Sequence, residues 1–504
     1  MSTDILDLLT TAQAEAIAIA APERMALSYA RLREQVSDTA NTLRAMGISR
    51  RDRAAIIATN GPEMATAVLS VMTAAVAAPL NPAYRTEEFD FYFSDLGVKA
   101  LIVEAGFDTP AVTVARARGI AIVELIPRRK EQAGLFHLQG ASANPVASEP
   151  SQGTDVALLL HTSGTTSRPK LAPLSHQNLC ASARNIVGTL ALSATDRCLN
   201  VMPLFHIHGI VAGLLAPLAS GSSIFCTPGF NALKFFGWMN EAHPTWYTAV
   251  PTMHQAVLAR AAHNQEVVNR TRLRFIRSSS AALPPKVLAE LEEVFGAPVI
   301  EAYAMTEAAH QMTSNPLPPQ VRKPGSVGLP AGPEVVVFDA EGHVLPPGEV
   351  GEVVIRGDNV MGGYENNPDA NAAAFINGWF RTGDQGVFDT DGYLRITGRL
   401  KEIINRGGEK ISPREVDEVL LEHPAIAVAV TFALPHDKLG EEVAAAVVLR
   451  EGRMVNEQEL RTFASARLAN FKVPRRIVFV SHIPTGPTGK LQRIGLADRL
   501  ALAP

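Results

Sequence analysis

The chain has little of several things. Only three cysteines, Cys180, Cys198 and Cys226, stand among 504 residues, with neither CxxC nor metal-type spacing. That pattern excludes a disulfide framework and a cysteine-rich zinc site, and reduced thiols are expected. Neither sign of charge is in excess, with 46 basic side chains against 50 acidic ones and a formal net charge of -4. A nucleic-acid or anionic-membrane footprint is therefore not expected. No apolar run reaches the ~20 residues of a membrane span. The longest, "MATAVLSVMTAAVAAPL" from Met64, meets a proline and predicts a buried helix. "MSTDILDLL" carries acidic residues where a secretion signal is basic, and "ALAP" is not a peroxisomal address. A cytoplasmic protein is expected. Internal repeats and low-complexity segments are also missing.

Apolar material is plentiful, at 47% of residues, in a chain too long for one core. Two or three domains are expected. "RAAIIAT" at 53, "ALIVEA" at 100 and "IAIVEL" at 120 read as buried strands separated by amphipathic segments. This rhythm predicts an α/β fold with mostly parallel sheets. A turn-rich stretch over 145–155 leads into the strand "VALLL", and two β-rich runs over 335–356 predict an antiparallel subdomain. Turns are expected at Asp384-Gln385-Gly386 and Asp391-Gly392. The charged segment Arg399–Glu402 follows, then a helix with Ser412 at N-cap, Pro413 at N1 and Glu415 at N3. The division expected is a large domain over 1–398 and a small α+β domain over 399–504, joined by one short hinge.

Four segments carry chemistry. "TSGTTSRPK", Thr162–Lys170, follows an apolar strand and offers small residues, hydroxyls and a lysine, as a phosphate-binding loop requires. It is not a Walker A loop, because Pro169 stands where the second glycine would be. "EAYAMTEAAH" at 301 sets Tyr303 beside Thr306 and Glu307, suited to a base face, a phosphate and a magnesium ion. "RTGDQG" offers Asp384 to the two hydroxyls of a ribose. "PTGPTGKLQR" places Lys490 in a Gly/Pro loop of the small domain.

In this order, together with "GRLKEIINRGGEKISP", these segments resemble the adenylate-forming superfamily of acyl-CoA synthetases, luciferases and peptide-synthetase adenylation domains. The similarity runs from "LREQV" near 32 to "GKLQR" at 489–493. It implies a large domain of stacked, mostly parallel sheets with an antiparallel subdomain, and a small mobile domain. It also implies that Thr162, Ser163, Gly164, Thr165, Thr166 and Lys170 embrace the β,γ-phosphates of ATP. Tyr303, Ala281, Ala282 and Glu301 would line the adenine site, with Thr306 at the α-phosphate and Glu307 on Mg²⁺. Asp384 and Arg399 would hold the ribose, and Lys490 the oxygens that gain charge as pyrophosphate leaves. Lys401 stands at the family's hinge. Rotation there by about 140° would withdraw Lys490 and present Gly407 and Gly408 for thioester formation with CoA.

Segments "PLFHIHG", "TWYTAVPTMHQ", "RSSSAAL" and "MTEAAHQM" are expected to gather His208, His254, Ser279, Ser280 and His310 around the acid, with His208 also serving the chemistry. Such donors facing an alkyl chain would cost ~1–3 kcal/mol each, so a small polar diacid is expected. The wording of these segments is similar to plant and fungal oxalyl-CoA synthetases, which implies oxalate. Malonyl-CoA synthetases usually carry an arginine where Ala302 stands, and no Arg or Lys within these motifs takes its place. Ser167 and Leu171 occupy positions that are usually glycine, and Leu171 is expected to restrict φ and slow the phosphate loop. Other readings are a ligase for another small or aromatic acid, a carrier-loading enzyme and an ATP-binding sensor without turnover. A monomer or homodimer is expected.

Overall fold

A computed structural model describes residues 4–140, 145–146, 151–162, 169–484 and 493–502. The apolar runs that are continuous rather than alternating become the inner strands of two sheets, as burial on both faces demands. One sheet has seven strands. Its parallel centre is formed by Ala121–Pro127, Ala100–Glu104, Arg53–Ile57, Val76–Pro79 and Val156–Thr162, with antiparallel strands Phe136–Gly140 and Lys170–Ser175 at its edges. The other has nine, with a parallel centre running through Val299–Met305, Phe275–Ser279, Trp246–Ala249, Arg197–Asn200 and Ser223–Cys226. One large apolar core joins the two, including Ile56 and Leu158 from the first sheet and Ile224 and Ile300 from the second.

The apolar window at Met64 divides between two elements. Pro62–Ala74 is a helix buried at every residue, and Val76–Pro79 is the next strand. An antiparallel sheet follows, pairing Glu334–Phe338, Gly351–Arg356, Phe375–Ile376, Trp379–Phe388 and Leu394–Arg399. The expected turn at Asp384–Gly386 is instead the middle of Trp379–Phe388, with a bulge between Gln385 and Gly386. Gly386 is there for room, since a Cβ would press on Val353.

Residues from Ile404 onward form a five-stranded sheet with helices Pro413–Glu422 and Glu457–Ser465, and two apolar clusters drawn only from this part of the chain. On that separation of cores we propose the domain boundary at 398/399. Ser412 does precede helix Pro413–Glu422, but its hydroxyl donates to the Thr397 carbonyl rather than capping the helix, and Glu415 pairs with Lys472 at 2.7 Å. The capping box is absent because the hydroxyl is used to join the helix start to strand Leu394–Arg399. All three cysteines are buried and free, and among the described residues no helix is long and apolar enough to cross a membrane.

The strands flanking the phosphate loop are opposed in register, Thr162 facing Lys170. Both ends of the loop are thus pinned at one place, and helix His176–Thr189 follows under a Ser175/Asn178 capping box. Leu171 lies in regular strand backbone opposite His161, outside the left-handed region, and is buried with Ile57 and Leu159. The expected φ restriction therefore does not arise at this position, where leucine fills a core site. Leu171→Gly is expected to lower stability by about 2–5 kcal/mol through the cavity it leaves, read as a fall in Tm.

Candidate active site

The parallel strands Phe275–Ser279 and Val299–Met305 end side by side, and ligands of α/β sheets collect at such carboxyl ends. Ser280 leaves the sheet with φ 73°. Beyond it opens a cavity of about 350 Å³, lined on one side by Ala281, Ala282, Tyr303, Asp384 and Arg399. The small domain closes the other side with Glu402, Arg414, Asp417 and Arg493. Tyr303 donates its hydroxyl to Asp384, whose other oxygen accepts from Arg399 Nε at 2.8 Å. Asp384 and Arg399 face each other across the antiparallel pair, which is why these distant positions meet. Burial, and then the neighbouring Asp384 charge, push the Tyr303 phenol far above its ordinary range. The same carboxylate raises Arg399.

A second group gathers at Lys170, where the segment Thr162–Lys170 ends. Lys170 Nζ sits 4.4 Å from the centre of the Tyr364 ring, and Tyr364 donates to Glu307 Oε1 at 2.9 Å. Burial and then the charge of Lys401 depress the Lys170 pKa, while Glu307 opposes them. Lys170 and Glu307 thus both meet Tyr364. Thr306 opens the short turn Thr306–Ala308 that presents Glu307. Tyr364 was not foreseen: it lies in "MGGYENN", a turn sequence with no periodicity to mark an inward side chain. Ser163, Gly164, Thr165, Thr166 and Lys490 lie outside the described residues. Gly407 and Gly408 form the exposed tip of hairpin Ile404–Ile411 and do not line the cavity, the Gly407 N–H being held by the Leu439 carbonyl at 2.9 Å.

Behind Ser280 the space is filled by polar groups. His208 Nδ1 lies 3.1 Å from Ser280 Oγ, and its Nε2 lies 2.6 Å from Thr248 Oγ1. The His208 and His310 rings stack, with centroids 4.8 Å apart. His208 begins a π-helical segment, His208–Leu215, whose next residue must be glycine because a Cβ on Gly209 would collide with the Pro203 carbonyl. Single π turns often mark functional sites. Ala309 and His310 both have left-handed backbone, with φ of 45° and 101°. Such strain concentrates where geometry is imposed by function.

Two expected members of the acyl group are not available to it. Ser279 donates to the Ala302 carbonyl at 2.9 Å, so its hydroxyl is engaged within the sheet. His254 contacts the Tyr247 hydroxyl at 3.2 Å, among the apolar residues packed round Tyr247. Strand alternation puts Tyr247 and Thr248 on opposite faces, and His208 is on the Thr248 face. His254 therefore looks away from the site, and burial holds its imidazole down at about 3, neutral at ordinary pH. A cation does stand within the motifs, against expectation. Arg277, in "RFIRSSSA", is wholly buried, with Nη1 3.5 Å from His208 Nε2 and Nη2 3.3 Å from Gln311 Oε1. A charged residue inside a buried parallel strand was the sequence signal for it.

Glu301 is buried on strand Val299–Met305, with Oε1 accepting from the Leu283 N–H at 2.9 Å and Oε2 unpartnered. Burial raises its pKa from 4.5 to about 7. A raised carboxyl stabilises the fold fully below its unfolded pKa and loses that contribution as pH rises through the folded value. Between pH 4.5 and about 7 the Tm of the ligand-free protein is expected to fall more steeply than that of Glu301→Gln, which thermal unfolding across that range would measure.

Comparison with known proteins agrees with this geometry. A model of the AMP-binding enzyme family matches residues 9–365, and a model of the AMP-binding enzyme C-terminal domain matches 415–490. A probable CoA ligase, CCL9, of Humulus lupulus is 47% identical, over 94% of this chain and 91% of its own. An oxalate–CoA ligase of Arabidopsis thaliana is 45% identical, over 94% and 95%, and one of Saccharomyces cerevisiae 44%, over 90% and 88%. Among solved structures, ATP-bound MatB from Rhodopseudomonas palustris superposes with a TM-score of 0.88 at 29% identity, covering 98% of this chain and 97% of that one. The apo form of the same protein gives 0.77 at 28% identity with the same coverage, so the arrangement here is nearer the ATP-bound one. The chain belongs to the AMP-binding, adenylate-forming enzyme family.

Proposed function

We propose that this enzyme is an AMP-forming acid–CoA ligase whose acid is oxalate. The observation that carries the choice of acid is the stacking of the His208 and His310 rings behind Ser280, which sets polar rings where an alkyl chain would have to run. Relatives named oxalate–CoA ligase at 45% and 44% identity support the same choice.

In the first step an oxalate oxygen attacks the α-phosphorus of ATP and the bond to the bridging oxygen breaks, giving oxalyl-adenylate and pyrophosphate. Tyr303, with Ala281 and Ala282, would take the adenine and Asp384 and Arg399 the ribose. The loop 162–170 and Lys170 would hold the outer phosphates, with Thr306 at the α-phosphate. Lys490 would stabilise the charge that gathers on the attacked oxygens. Glu307 fits Mg²⁺, an ion generally held by one or two carboxylates together with substrate phosphates. Among the described residues no group of three or more metal-ligating side chains competes with it. When bound, the ion would supply charge neutralisation at the phosphates. In the second step the CoA thiolate adds to the acyl carbonyl and the C–O bond to AMP breaks, with Lys401 at the hinge and Gly407 and Gly408 carried to the thiol by the small domain. Buried free thiols suit a reducing cytoplasm.

Pyrophosphate release, measured with oxalate, malonate, acetate, benzoate and octanoate in the presence of CoA, is expected to give the highest kcat/KM for oxalate. Octanoate above oxalate would refute the choice of acid, and no release with any acid would leave a nucleotide-binding sensor. Lys490→Ala is expected to lower adenylation about 10²–10³-fold while thioester formation from supplied oxalyl-adenylate persists, and equal loss of both steps would contradict its role.

A further inference from the structure

Among the described residues, Arg277 is a buried charge with no carboxylate paired to it. It is 0% exposed, on the inner strand Phe275–Ser279. Its hydrogen-bond partners are neutral: Thr248 Oγ1 and His208 Nε2 at 3.5 Å each, and Gln311 Oε1 at 3.3 Å. Its Nε has none. Among the described residues no carboxylate pairs with it, and segments 163–168 and 485–492 contain no acidic residue. Burial brings its pKa down to about 9, so it stays protonated near neutral pH. A buried cation is costly unless an anion meets it. Here the protein withholds the anion while fixing the cation's neighbours: Gln311, whose oxygen faces Arg277, is anchored through Nε2 to Thr189 Oγ1 at 3.1 Å and the Ala331 carbonyl at 3.2 Å.

The route from this charge to the cavity is short. Arg277 and Thr248 are paired in register on adjacent parallel strands and share a face with His208. Arginine has only donors, so the His208 nitrogen that meets Arg277 and Thr248 is the acceptor. An Nε2 that accepts from Arg277 leaves the ring proton on Nδ1, 3.1 Å from Ser280 Oγ, and Ser280 lines the cavity. We propose that Arg277 is a positioning and specificity residue that selects an acid with a second carboxylate, by supplying an unmatched positive charge and by fixing His208 as an Nδ1–H donor toward that acid. One carboxylate of the acid is consumed by adenylation, and the second remains to meet this donor and the charge behind it. The inference rests on the oxalate proposal and names the group that enforces it.

Oxamate tests it, because it keeps the size and reacting carboxylate of oxalate and replaces the second carboxylate with a neutral amide. The wild type is expected to favour oxalate by about 30-fold or more in kcat/KM. Arg277→Gln is expected to bring this ratio to within about threefold of one, mostly through KM for oxalate, with KM for ATP changed by less than about threefold. Arg277→Lys, keeping the charge without the planar fork, is expected to recover about a tenfold preference. A merely structural role would lower both acids equally, and that result, or an unchanged ratio in Arg277→Gln, overturns the inference. Should Arg277→Gln lose its cooperative thermal transition, Thr248→Val and Arg277→Lys decide. A ratio reduced in the first and partly kept in the second supports the inference, and wild-type ratios in both overturn it. Oxalate turnover with a preference indifferent to Arg277 leaves the proposed reaction standing, whereas no oxalate turnover by the wild type removes both.

Discussion

Asp384 joins three parts of the molecule that are built separately. It stands in the antiparallel sheet, receives the Tyr303 hydroxyl from the nine-stranded sheet, and binds Arg399 at the proposed junction with the small domain. The connection continues through charges. Glu402, in the turn after Arg399, meets Arg493 at 3.1 Å, and Arg493 reaches Asp417 at 2.7 Å in the middle of helix Pro413–Glu422. Arg493 lies three positions after Lys490 in the sequence, so one line of ion pairs links the nucleotide cavity to the chain beside that lysine. Arg493, paired with Glu402 and Asp417, thus stands at the wall of the cavity between the two parts, while each part has its own apolar core. Charged groups at a seam can exchange partners with a nucleotide's phosphates and hydroxyls, which an apolar seam cannot do without exposing hydrocarbon.

Much of this architecture was legible because parallel strands buried on both faces leave unbroken apolar runs, as at Ala100–Glu104 and Val156–Thr162. The segment after Val156–Thr162 stood out for the opposite reason, since small and hydroxylated residues after such a run have no packing role, and its middle, 163–168, lies outside the described residues. What misled was punctuation. Gly383 and Gly386 around Asp384 look like a turn, yet the pairing of Trp379–Phe388 with both neighbours carries the chain straight through. Ser412 stands at the N-cap position, but a tertiary acceptor, the Thr397 carbonyl, took its hydroxyl.

The acyl end was half legible. His208, Ser280 and His310 do converge, whereas His254 faces the other side of its strand and Arg277, which no expectation named, meets His208. Which of them faces the site depends on which side of strands Trp246–Ala249 and Phe275–Ser279 is turned to His208. Alternation fixes the two faces but does not say which one holds the ligand, and only the packing of the π-helical segment decides that. The left-handed residues Ser280, Ala309 and His310 cluster at this same end, held by a sheet too well packed to let them relax.

The burial of the three cysteines has a chemical side beyond packing. Burial pushes the Cys180 and Cys226 thiols up to about 12 and holds Cys198 well above its ordinary range, so none supplies a thiolate near neutral pH. An enzyme proposed to handle a free thiol thus exposes none of its own. When the cofactor pool turns oxidised, CoA disulfides find no sulfur here to attack, and the protein escapes the mixed disulfides that would otherwise tether its own substrate to it.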